Sequence, residues 1–236
     1  MNAFTWLGDP TNWSGSTGIP TRVLEHLQYT GLAVLFAIVI AIPIGAFVGH
    51  TGKGGFMIVG VSNGMRALPE LGLLVLLVLL MGIGLLPVTL ALVVLAIPPL
   101  LAGTYAGVRN TDRAVVDAAK GMGMRGGKVL WSVELPIALP LIFGGLRTAT
   151  LQVIATATIA GYVSLGGLGR YVIDGNSTRD YAQMLGGMIV LAVLALAMEG
   201  LLQLVQRWVV SRGLRRNPTR RRDRRVRPAD FVTETA

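Results

Sequence analysis

The residue types that most often do chemistry are few and scattered in this 236-residue chain. A phosphate-binding loop needs Gly-x4-Gly-Lys-Ser/Thr, because backbone N–H groups cradle the phosphates and the hydroxyl meets the metal. Both glycine–lysine pairs fail at the hydroxyl: Gly52-Lys53 is followed by Gly54, and Gly127-Lys128 by Val129. The chain is therefore not expected to bind ATP in that way. His26 and His50 stand alone, cysteine is absent, and no nucleophile lies beside a base. No metal centre, disulfide or hydrolytic site is expected, and no catalytic residue or bound cofactor is assigned. His50 reads as a solvated histidine at a membrane surface.

The remaining polar candidates lie inside apolar runs. Arg66, Glu70, Arg147 and Glu199 are ionisable residues near the ends of such runs. An ionisable group within a bilayer is a functional candidate by default. Snorkelling or mutual pairing accounts for these four as well. Thr148, Thr150, Gln152, Thr156 and Thr158 make one run hydroxyl-rich. They either line a polar path for a small solute or supply hydrogen bonds between helices.

Composition dictates what positions these residues. Apolar residues make up 53% and charged residues 14%, with a mean hydropathy of +0.63. Crossing a bilayer takes about 20 apolar residues. Five runs are read as spans: Thr30–Val48, Leu71–Leu86 as the continuation of a run that begins near Ala67, Val88–Val108, the more polar Thr148–Leu165, and Met184–Val205. The expected fold is all-α, with about five transmembrane helices. Pro43 and Gly45 should bend the first span, and Pro98-Pro99 should break the third. Gly55–Leu71 is either an interfacial helix or the first half of a bent span. Residues 1–29 read as an external segment, with Trp6 and Trp13 as interfacial anchors and a short helix over Thr21–Leu27. No cleavable leader is expected, because no apolar core precedes Arg22.

Charge sets the orientation. The formal charge is +9, and residues 207–228 hold ten arginines against one aspartate. The segment Arg109–Arg147 holds six basic and three acidic residues. Basic flanks stay in the cytoplasm. This places the segment 109–147 and the C-terminus inside and the N-terminus outside, a parity that five spans satisfy. The tail, 207–236, is too charged to pack and is expected to be disordered. It suits anionic lipid or topology control. Nucleic acid is not an expected partner of a chain this apolar.

Between the third and fourth spans lies Asp117 to Pro136, short, charged and glycine-rich. Ala118, Ala119, Lys120 and Met122 favour a helix, and the alanines let another surface approach closely. Gly121 and Gly123 weaken that helix, Gly126-Gly127 should end it, and Pro136 should open or break the next helix. The expected product is a short helix, a bend and a second short helix.

This segment resembles the cytoplasmic "EAA" loop of permease subunits of ABC importers. Asp117, Ala118, Ala119 and Gly123 match its first half, and Val133-Glu134-Leu135-Pro136 its second, with nine residues between. Asp for Glu and Val for Ile are the two departures. Further likeness runs over residues 19–206, in Ala41-Ile42-Pro43-Ile44-Gly45, Ile97-Pro98-Pro99 and Gly166-Gly167-Leu168-Gly169. It points to permeases of osmoprotectant importers, which move glycine betaine, carnitine, choline or proline. Arg66-Ala67-Leu68-Pro69-Glu70 stands where that family often has Gln-Thr-Ile-Pro-Ser, which leaves the shape of the second span open.

The resemblance implies a multi-pass protein of the bacterial plasma membrane. It implies a second permease, equal or paralogous, cytoplasmic ABC ATPases that supply the ATP chemistry, and an external solute-binding protein. It assigns ATPase coupling to Asp117, Ala118, Ala119, Gly121, Gly123, Leu135 and Pro136. The candidate path residues are Thr148, Gln152, Thr156 and Thr158. The rival readings are a permease for methionine or another amino acid, and a membrane scaffold that uses its basic tail.

Overall fold

Backbone in hydrocarbon must satisfy its own N–H and C=O groups, so apolar runs of this length fold as helices. The computed structural model describes residues 2–210, which contain helices and no strand. Two short elements, α1 (Ala3–Leu7) and a 3-10 turn (Pro10–Trp13), precede α2 (Ile19–Thr51). Two half-length helices come next, α3 (Gly55–Arg66) and α4 (Glu70–Met81), then α5 (Leu85–Arg109). The Asp117 segment forms α6 (Arg113–Gly121) and α7 (Gly126–Val129). A π-helical turn (Leu130–Glu134), α8 (Leu135–Thr156) and a 3-10 turn (Ala157–Val163) continue α7 without a break. The last helices are α9 (Gly169–Thr178) and α10 (Tyr181–Val209).

Among the described residues, four helical stretches are long and apolar enough to cross a membrane: Ile19–Thr51, Leu85–Arg109, Gly126–Val163 and Tyr181–Val209. The bent pair α3 and α4 makes a fifth. Each half has 12 residues, about 18 Å, and they meet at 82°. Gly55 faces Tyr105 near the end of α5, and Met81 lies shortly before that helix begins. The pair thus carries the chain from one end of α5 to the other, and counts as one crossing.

The central helix is α5. Leu92, Ala96 and Leu100 are fully buried there, with α2 on one flank and α8 on the other. Close approach comes from small residues. Ala33, Ala37, Ala41, Gly45 and Gly49 recur every fourth residue of α2, and all are buried. A Cβ on Gly45 would stand 2.9 Å from Thr104 Cβ. On the other flank, a Cβ on Gly145 of α8 would stand 2.6 Å from the Pro99 carbonyl oxygen. In lipid, where no hydrophobic effect drives helices together, such backbone contact supplies the packing.

Four expectations need correction. Pro98 and Pro99 do not break the third span: α5 runs through both, held between α2 and α8, whose packing offsets the lost ladder bonds. The fourth span begins far earlier than Thr148, because α7, the π turn and α8 form one stretch from Gly126. Thr21–Leu27 is not a separate helix but part of the first turns of α2. Trp6 is not a surface anchor. It is buried against Gly186 and meets the Tyr171 ring edge-on at 5.1 Å. Tyr171 in turn donates its hydroxyl to the Thr17 carbonyl at 2.7 Å, and burial pushes that phenol above its ordinary pKa. The basic tail from residue 211 onward lies outside the described residues.

Candidate functional site

The Asp117 segment builds a knob at one end of the bundle. Asp112 caps α6 by accepting from the Ala114 N–H at 2.9 Å, which satisfies an otherwise orphaned donor. The helix ends in a pair of crossing bonds, Met124 N–H to Ala119 O and Gly123 N–H to Lys120 O. That closure places the residue after the cap in the left-handed region, and Gly123 is there at φ +83°. Gly123, not the Gly126-Gly127 pair, therefore stops the first helix. The pair instead opens the next one.

Asp117, Ala118, Gly121 and Gly123 are exposed, and Ala119 is buried beneath them. Met122 and Trp131 stand 73% and 74% exposed, Met122 at the bend and Trp131 in the π turn near the start of the Gly126–Val163 stretch, so the knob carries exposed apolar surface. Pro136 does not break the chain. It occupies the first turn of α8, and the wider π turn before it gives its ring room. Leu135 beside it is half-buried.

The knob is fastened to the rest of the bundle by a contact that residue order alone does not reveal. His50, in the last turn of α2, has Nδ1 2.5 Å from Glu134 Oε2. The Glu134 side chain is 7% exposed and the His50 side chain 22%. His50 is thus a partner of a buried carboxylate rather than a solvated histidine. Its other ring nitrogen faces Gly126, where a Cβ would stand 3.3 Å away.

The candidate path residues lie along α8. Thr148, Gln152 and Thr156 recur every fourth residue and share a face, while Ala149, Val153 and Ala157 turn into the core. Thr148 returns its hydroxyl to the Gly144 carbonyl and Thr150 to Leu146, within their own helix. Thr158 does the same with Ala155. The Gln152 side chain has no hydrogen-bond partner among the described residues. Only Thr156 reaches another element: its hydroxyl donates to Glu70 Oε2 at 3.3 Å. The four are brought to one stretch, but Thr158 sits in the 3-10 turn beyond the stripe.

Two further polar contacts join distant elements, the first of them a pairing within the four ionisable residues named above. Arg147 of α8 grips Glu199 of α10 through two nitrogens, Nε at 3.1 Å, and Gln203 donates to the same carboxylate at 2.8 Å. His26 is fully buried, with Nε2 2.9 Å from the Ile154 carbonyl. That carbonyl precedes the change from α to 3-10 winding, where an axial partner is lost.

Comparison with known proteins agrees with this architecture. The family described as "binding-protein-dependent transport system inner membrane component" matches residues 11–214. The glycine betaine/carnitine/choline transport system permease protein OpuCB of Bacillus subtilis is 33% identical over 190 residues, 80% of this chain and 88% of that protein. The carnitine transport permease protein OpuCD of Listeria monocytogenes is 36% identical over 184 residues, 78% and 82%. The osmoprotectant import permease protein OsmW of Salmonella typhimurium is 30% identical over 202 residues, 84% and 94%. Among solved structures, an inward-facing MetNI methionine ABC transporter matches with a TM-score of 0.73 at 21% identity, covering 86% of this chain and 99% of that one. The bundle, the fastened loop and these matches together show that the chain belongs to the family of binding-protein-dependent transport system inner membrane components.

Proposed function

We propose that this chain forms the membrane path of an ABC importer for a compatible solute such as glycine betaine, choline, carnitine or proline. The observation that carries this is the run of relatives at 30–36% identity over about four fifths of the chain, each named for such a solute or for osmoprotectants. The methionine transporter shares the fold at 21% identity, which bears on architecture and not on solute.

The division of labour follows from the residues. This chain is a transport component, and the ATP chemistry belongs to a cytoplasmic ABC ATPase on which the knob docks. Exposed Ala118, Met122 and Trp131 supply the apolar contact there, and Asp117, Ala119, Gly121 and Gly123 shape it. Leu135 and Pro136 pass the motion into α8. A second permease copy or paralogue encloses the path, and an external binding protein delivers the solute. The knob then lies in the cytoplasm with the C-terminus, and residue 1 lies outside. We take residues 30–206 as the permease domain and 207–236 as a basic tail for anionic lipid.

The test is co-purification followed by uptake. The permease, expressed with its neighbours, should bring down an ABC ATPase and an external binding protein. Proteoliposomes of the complex should accumulate a quaternary ammonium solute in an ATP-dependent way. Accumulation of methionine and of no quaternary solute would overturn the assignment.

A further inference from the structure

Glu70 is the one described glutamate without a basic partner. Glu25 pairs with Arg22, Glu134 with His50 and Glu199 with Arg147. Among the described residues, no cation lies within ion-pair distance of Glu70, and its partner is the neutral Thr156 hydroxyl. The Glu70 side chain is exposed in the single chain.

Its depth follows from two independent helices. A small cavity of about 10 Å³ joins Glu70 to Ala91 and Leu95 of α5. At a rise of about 1.5 Å per residue, that level is roughly 9–15 Å from the Leu85 end of α5. Thr156 sits before the seven-residue 3-10 turn ending at Val163, about 14 Å at the 3-10 rise. Both place the carboxylate within the span.

An unpaired carboxylate at that depth is costly, because the charged form loses hydration without gaining a counter-charge. Its position at the start of α4 offsets part of that cost, since the helix dipole favours an anion there. A break between two half-helices is also where membrane carriers expose polar groups to a cavity. From Glu70 the track continues through Thr156, Gln152 and Thr148, neutral hydrogen-bonding groups about one turn apart. The track therefore carries one fixed charge, and it is negative.

We propose that Glu70 is a specificity-determining residue of the path, which receives the positively charged nitrogen of the solute as it passes the α3–α4 break. This rests on the solute-path reading above. Glycine betaine, choline, carnitine and proline all carry such a nitrogen. One carboxylate on a hydroxyl-lined track attracts it and still releases it, as conduction requires.

The experiment uses the complete transporter, with its ATPase and binding protein, in proteoliposomes. Choline and glycine betaine uptake are compared, each normalised to intact complex measured by size exclusion. Choline is a net cation, whereas glycine betaine brings its own carboxylate against Glu70. Glu70→Gln should lower choline uptake by at least about tenfold and shift the choline-to-betaine ratio by at least about fivefold toward betaine. Glu70→Asp should keep choline uptake within about threefold, and Arg66→Gln should leave the ratio unchanged.

A general loss of function would lower both solutes together, so an unmoved ratio in Glu70→Gln overturns the proposal. A shift reproduced by Arg66→Gln also overturns it, because Glu70 would then be paired with Arg66 of a second copy. The solute reading is judged on the wild type. If the wild type moves methionine and neither quaternary solute, that reading fails on its own. Glu70 is then judged on methionine's ammonium group, with loss in Glu70→Gln and rescue by Glu70→Asp in favour, and unchanged uptake against.

Discussion

His50 Nδ1 and Glu134 Oε2, 84 residues apart in the chain, lie 2.5 Å from each other. This contact joins the last turn of α2 to the π turn through which the knob enters the membrane. The two halves of the bundle that share no loop are thereby tied at the knob end.

Removing that tie should separate stability from coupling. His50→Ala leaves the buried Glu134 carboxylate unpaired, at a cost of about 1–3 kcal/mol. Thermal unfolding in detergent should show the loss. Solute-stimulated ATP hydrolysis should fall further than complex assembly does. The double variant His50→Ala with Glu134→Ala should recover part of the stability, and an additive double variant would remove the pair from this account.

Gly123→Val should disconnect uptake from ATP hydrolysis while the protein still inserts. The left-handed conformation at φ +83° costs a branched residue about 1–2 kcal/mol or more. Nothing lies within 4 Å of a Cβ there, so the defect is in the turn and not in packing. Gly123→Asn, which tolerates that conformation better, should retain most uptake. Equal activity of the Val variant and wild type would free Gly123 from the coupling role.

Glycines that look alike in sequence should part ways in a packing test. Gly145→Ala drives a methyl to 2.6 Å from the Pro99 carbonyl oxygen. Overpacking of this kind costs about 1–3 kcal/mol. Gly144→Ala meets nothing within 4 Å and should leave the unfolding midpoint unchanged or higher. A lower midpoint for Gly144→Ala than for Gly145→Ala would contradict the α5–α8 interface.

The Arg147–Glu199 pair should behave as a unit. Arg147→Met strands a partly buried carboxylate at a cost of about 3 kcal/mol, and Glu199→Met strands the guanidinium. Replacing both together should return membrane abundance and thermal stability toward wild type. A double variant as damaged as the singles would mean that each residue has a separate role.

Tags at residues 1 and 236 should report opposite sides of the membrane, because α3 and α4 together make one crossing. Same-side labelling would mean that the 82° pair re-enters instead of spanning.

Much of this was legible from the residue order. The spans announce themselves by length, and α5 begins and ends close to the bounds of the Val88–Val108 run. The first helix of the knob follows from Ala118 and Ala119, whereas the residue order puts its end at Gly126-Gly127 and the structure puts it at Gly123. The rest depends on distance. His50 and Glu134 each look solitary, since a partner 84 residues away leaves no local mark, and mutual pairing among Arg66, Glu70, Arg147 and Glu199 is legible but not which two meet. The dipeptide Pro98-Pro99 reads as a break because propensity ignores the flanking α2 and α8. One missed signal was present: small residues at 33, 37, 41, 45 and 49 recur at helical spacing and foretell the α2–α5 contact.

The unbroken run from Gly126 to Val163 has a mechanical consequence. Its 38 residues of helix form one lever that begins in the knob and ends at the opposite face. If the ATPase docks on the knob as proposed, a push at Gly126 enters α8 through the π turn, with no loop in between. It would then reach Thr148, Gln152 and Thr156 as tilt and rotation of α8, the helix that carries them. The π turn at one end and the 3-10 turn at the other are wound looser and tighter than the middle. Slippage in winding at those ends is where such a shaft would take up the stroke, leaving the polar stripe between them to turn as a rigid body.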